Sequence, residues 1–95
     1  MNGRRTTENS PAGAAQRGLW RLMLKLPALR GSLQVLAQKS SSLESLSEAY
    51  EDACTALDRF RNRVGTSRDP LIEEYEAICR EIESDVIKLC LHNSS

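Results

Sequence analysis

Residues 42–64 read Ser-Leu-Glu-Ser-Leu-Ser-Glu-Ala-Tyr-Glu-Asp-Ala-Cys-Thr-Ala-Leu-Asp-Arg-Phe-Arg-Asn-Arg-Val. Leu43, Leu46, Tyr50, Ala53, Leu57, Phe60 and Val64 follow one another at intervals of three, four, three, four, three and four. That rhythm is an a/d heptad stripe over three repeats, which predicts a helix that packs along one seam. Ser41 and Glu44 stand three apart, the spacing of a capping box. They predict the helix start next to the serine run 40–42.

Working toward the C-terminus, Gly65 supplies a helix stop, because glycine takes the left-handed conformation at low cost. Thr66, Ser67 and Arg68 then make a short loop, and Asp69 with Pro70 supplies an N-cap and a pre-set first helical position. Glu73, Glu74 and Glu76 place negative charge where the helix dipole favours it. A second helix is predicted over 70–91. Its apolar stripe is Leu71, Tyr75, Ile78, Ile82 and Leu89, with Ile72, Cys79 and Val86 beside it at seven-residue spacing. The short connection predicts an antiparallel hairpin, 42–64 against 70–91.

Working toward the N-terminus, Leu29, Leu33 and Leu36 share a helical face, and so do Leu19, Leu22, Met23 and Leu26. Pro27 lies between the two sets and breaks the helix there. Residues 19–39 therefore read as a shorter helical segment broken at Pro27. Residues 1–18, with Gly3, Pro11, Gly13 and Gly18, read as a disordered basic tail, although Ser10–Pro11 has the form of a helix start. The fold class is thus all-α: a coiled-coil-like hairpin, a preceding helical segment and a disordered tail.

The charge is unevenly spread. Residues 1–39 hold seven basic groups and one acid, Glu8; residues 40–95 hold six basic and twelve acidic groups, so a formal net charge of zero hides two opposite halves. A chain of 95 residues with four aromatic side chains has little material for a core. A helix pair alone buries one side of each helix. The remaining apolar stripe calls for a third helix from 19–39, self-association from dimer to four-helix bundle, or a foreign protein partner.

Residue types argue against chemistry. His92 is the single histidine and sits at a predicted frayed end. Cys90-x-His92 is the only close ligand pair, which fails the paired spacing of zinc sites. No phosphate-binding glycine loop is present, and no cysteine or serine has a general base beside it. The sequence therefore predicts neither an enzyme nor a cofactor. The three cysteines, an odd number, predict a reducing compartment, and a cytoplasmic location follows as the expectation. Mirroring the hairpin about residue 67 sets Cys54 near Cys79, so a cross-helix disulfide and a redox switch follow as a hypothesis.

The reading these observations favour is a small protein-interaction module. Leu43, Leu46, Tyr50, Leu57, Phe60, Leu71, Tyr75, Ile78, Ile82 and Leu89 are expected to carry its packing or contacts, with Asp85 interrupting the stripe. The alternative is a peripheral membrane or organelle-targeted protein. Residues 16–39 are basic and amphipathic, and Trp20, Arg21 and Lys25 would make the contact with anionic lipid. The arginine-containing, acid-poor start also has a mitochondrial presequence's composition. Basic residues are too thinly spread to favour nucleic acid.

Overall fold

In the computed structural model, residues 11–64 and 70–93 are described, and all of the regular structure they form is helical. Helix α1 runs Pro11–Lys25, a single 3-10 turn spans Pro27–Leu29, α2 runs Arg30–Leu36, α3 runs Ser41–Val64 and α4 runs Pro70–Asn93. The hairpin of α3 and α4 and the break at Pro27 therefore stand as the sequence predicts. Leu26, the residue before the proline, leaves helical geometry at φ −121° and ψ 66°. The proline ring disfavours the helical region for the residue before it.

Two predicted boundaries move. The helix start of α1 lies at Pro11 rather than Leu19, so residues 11–18 are helix and not tail. Proline is pre-set for a first helical position, and Ala14, Ala15, Gln16 and Arg17 are strong helix formers that offset Gly13 and Gly18. The cap of α3 is Ser40, not Ser41. The Ser40 hydroxyl accepts a bond from the Leu43 amide at 3.1 Å, and its carbonyl accepts from the Glu44 amide. The third helical position is then Leu43, so no glutamate returns the bond and the box is a simple serine cap. The Gly65 stop, the loop and the Asp69 cap lie outside the described residues, as does the side chain of Val64.

Helix α4 runs antiparallel to α3. Four side-chain pairs set the register: Tyr50 with Glu83, Cys54 with Cys79, Phe60 with Tyr75 and Arg61 with Glu76. Their numbers add to 133, 133, 135 and 137, so the hairpin folds about residue 67 as expected. Helix α1 covers a different side of α3 and runs parallel to it. Gly18 meets Ser47 and Arg21 reaches Glu51, offsets of 29 and 30. The segment holding α2 carries the chain back between these two parallel helices, and it touches both α1 and α4.

Helix α3 is thus the centre of the molecule, packed against α1 and α4. One apolar cluster joins all four helices: Leu22 from α1, Leu33 and Leu36 from α2, Leu43, Tyr50, Ala53 and Leu57 from α3, and Cys79, Ile82, Val86 and Cys90 from α4. Of the three outlets for the hairpin's spare stripe, the chain uses its own N-terminal segment.

Candidate functional site

The α1–α3 seam begins at a small residue. A Cβ built on Gly18 would lie 1.8 Å from the carbonyl oxygen of Ser47, so only glycine permits this approach. Ser47 is fully buried at the crossing. One turn further along, Glu51 is only 8% exposed and accepts bonds from Arg17 Nε at 3.1 Å and Arg21 Nε at 2.8 Å. Thr55 adds a longer contact to the same carboxylate. Burial alone would push the Glu51 carboxyl up; the bonds from Arg21 and Arg17 outweigh it and hold its pKa below the ordinary value. The bond to Glu51 in turn raises the Arg21 guanidinium.

The Arg21 guanidinium joins Glu51 and, at 3.9 Å, Asp58, so it clasps the two helices while staying partly exposed. The reason is geometric: Arg17 and Arg21 are four apart and lie on one helix face, one above the other. Trp20 lies on another face. It is 54% exposed, and Leu24, four residues on, is 78% exposed. Lys25, at the end of α1, is also exposed.

The predicted packing residues divide. Leu43, Tyr50, Leu57 and Ile82 are buried, and Leu46, Phe60, Tyr75 and Leu89 are partly buried. Leu71 and Ile78 are 40% and 41% exposed and do not belong to the core. The stripe of α4 is instead Ile72, Tyr75, Cys79, Ile82, Val86 and Leu89, at intervals of three, four, three, four and three. The predicted stripe, at intervals of four, three, four and seven, has the same periodicity with Leu71 and Ile78 in place of Ile72 and Cys79, so packing against α3 and not the spacing selects the face. Asp85 falls outside the seam and is exposed, beside Leu46, Lys88 and Leu91 in a shallow groove.

Along the α3–α4 seam, the Tyr50 hydroxyl donates to Glu83 at 2.6 Å. Burial first, and then that bond, raise the tyrosine's pKa. The Cys54 and Cys79 sulfurs are 3.9 Å apart. Burial and the Cys54 sulfur push the Cys79 thiol up to about 12. Cys90 is buried, which also raises its thiol. Among the described residues no three His, Cys, Asp or Glu side chains gather to hold a metal ion. No described helix is long and apolar enough to cross a membrane.

A second groove lies between α1 and α2. Trp20 and Met23 line one side, and Arg30, Gln34 and Gln38 the other. Val35, 58% exposed, projects from the same short helix α2. From residue 9 to residue 43 the chain has no acid, and its cations are Arg17, Arg21, Lys25, Arg30 and Lys39. Arg17 and Arg21 pair with Glu51; of the other three, all exposed, Arg30 lines this groove and Lys39 follows α2, while Lys25 borders a different groove beside Cys54 and Cys79. The α1–α2 surface is therefore apolar, cationic and acid-free. Compared with known proteins, the chain matches no family model, no curated protein and no solved structure.

Sequence reasoning placed the hairpin seam and missed the clasp. Gly18 read as a tail glycine, and Ser47 and Glu51 were given no role. A signal was present: Ser47 and Glu51 are four apart, as are Arg17 and Arg21, so two polar faces of opposite character were available to meet.

Proposed function

We propose that this chain is a small non-catalytic helical protein-interaction module that docks an acidic, partly apolar protein segment on its α1–α2 surface. The observation that carries the reading is the pairing of exposed Trp20 and Leu24 with an acid-free cationic surround. Large apolar side chains held outward on a folded helix mark contact sites, and tryptophan and arginine are the residue types that anchor them. Complementary charge then selects the partner and speeds the encounter. The docking face shifts from the hairpin expected from sequence to α1–α2, because α1 itself covers the hairpin's spare side.

The second reading, docking on anionic lipid, draws on the same residues. Trp20 suits an interface, and Lys25, Arg30 and Lys39 suit acidic headgroups. Against it, Arg17 and Arg21 are engaged with Glu51, which leaves fewer cations for a surface.

Trp20 is the chain's single tryptophan, so its fluorescence reports this surface alone. The full chain is titrated with a synthetic amphipathic helix of leucine and glutamate, and separately with phosphatidylserine–phosphatidylcholine vesicles. A blue shift with the peptide, and none with the vesicles, is the expected result. A shift with vesicles alone would replace the protein partner with a membrane. A shift that depends only on the chain's own concentration would make the partner a second copy.

A further inference from the structure

We propose that Cys54 and Cys79 form a dithiol modification site, which a hydroperoxide oxidises to a disulfide that ties α3 to α4. This inference is independent of the docking reading. Their sulfurs are 3.9 Å apart across the seam, already inside the reach of a change in side-chain rotamer. A disulfide needs the sulfurs at about 2.05 Å, so a closure of roughly 2 Å completes the bond. The pair is fixed in register by neighbours on both sides: Tyr50 with Glu83 at one turn, Arg61 with Glu76 beyond the other.

The two cysteines differ in the way such a pair requires. Cys54 is half-buried, and Cys79 is buried behind it. Both border a groove that opens to solvent and is also lined by Lys25, Arg61 and Arg80 together with Glu76 and Glu83. A small oxidant therefore reaches Cys54 first, because that sulfur is the more accessible of the two. Cys79, whose thiol is pushed up to about 12 by burial and its neighbour, keeps its proton until Cys54 has reacted.

The chemistry balances with one peroxide. The Cys54 sulfur attacks a peroxide oxygen, the O–O bond breaks, and the departing hydroxide takes the thiol proton to leave as water. Cys54 is then a sulfenic acid. The Cys79 sulfur attacks that sulfur, the S–O bond breaks, and hydroxide leaves with the Cys79 proton as a second water. Two sulfurs lose two electrons in all, and one hydrogen peroxide is reduced to two waters.

Cys90 serves as the internal control. It is buried in α4, and oxidation leaves it as a thiol. The test treats the native full chain with hydrogen peroxide and counts alkylatable thiols after unfolding. The expected count falls from three to one, with a mass lower by two hydrogens and one cross-linked peptide joining Cys54 to Cys79. Dithiothreitol restores all three thiols. The oxidised chain melts roughly 10 °C higher, because the bond closes a loop of about 25 residues in the unfolded state. C54S keeps both of its remaining thiols under the same treatment. Three surviving thiols, a disulfide-linked dimer, a Cys54–Cys90 link, or Cys54 oxidised to sulfinic acid beside a free Cys79 would each overturn the proposal.

Discussion

Gly18 lies against Ser47 so closely that a methyl group on the glycine would sit 1.8 Å from the serine's carbonyl oxygen. The obstacle is backbone, so no rotamer change relieves it. Gly18→Ala must push α1 off α3. Overpacking of this kind costs about 1–3 kcal/mol, and the helix preference of alanine over glycine returns at most about 1 kcal/mol. A net loss of about 1–2 kcal/mol is expected in chemical denaturation. Gly31→Ala is the contrast: nothing lies within 4 Å of its new methyl group, so the same change in α2 should stabilise by roughly 0.5 kcal/mol.

Glu51 predicts an acid limb in the stability profile. Its folded pKa is lowered, so its contribution is present above the unfolded value and lost as pH falls through the folded one. In the unfolded chain the carboxyl titrates near about 4.3. Wild type should therefore hold its melting temperature from neutrality to about pH 5 and lose it below about pH 4. Glu51→Gln should start lower and show a shallower acid limb. Parallel limbs in the two proteins would remove Glu51 from the account.

Leu57 and Ile78 separate the two possible seams. Leu57 is buried, so Leu57→Ala should cost about 2–5 kcal/mol. Ile78 is 41% exposed, and Ile78→Ala should cost under about 1 kcal/mol. Val86 is fully buried and should behave like Leu57. Equal losses at Ile78 and Val86, measured by urea unfolding, would place α4 in a different rotation about its axis.

Trp20 should be dispensable for folding and necessary for docking. Trp20→Ala leaves the core cluster intact, so its stability should stay within about 0.5 kcal/mol of wild type. The free protein should show solvent-exposed tryptophan emission. Binding of an acidic amphipathic peptide, followed by calorimetry, should fall at least about tenfold in the variant, the loss expected for one anchoring residue.

What the sequence made legible followed from local rules. The heptad stripe of α3, the break at Pro27 and the antiparallel register are each set by residues near one another in the chain. The Cys54–Cys79 contact could be read in advance because a hairpin's register is fixed by its fold-back point. The α4 face was ambiguous because Tyr75, Ile82 and Leu89 form a heptad row that is flanked on one side by Leu71 and Ile78 and on the other by Ile72, Cys79 and Val86. Only the partner helix decides between them. The clasp at Gly18, Ser47 and Glu51 joins residues about 30 apart across a parallel pairing, and no local rule aligns α1 with α3. A glycine at a crossing and a glycine in a tail look alike until the partner backbone is in place.

The account turns on α1 being docked, since that docking holds Trp20 outward and closes the core around Leu22. Amide hydrogen exchange on the native full chain measures this directly. Amides from Leu19 to Lys25 should be protected to a similar degree as those from Tyr50 to Leu57, because both segments open only when the bundle unfolds. Amides of α1 that exchange at the rate of a free peptide, while those of α3 stay protected, would contradict the three-helix seam and the surface proposed on it.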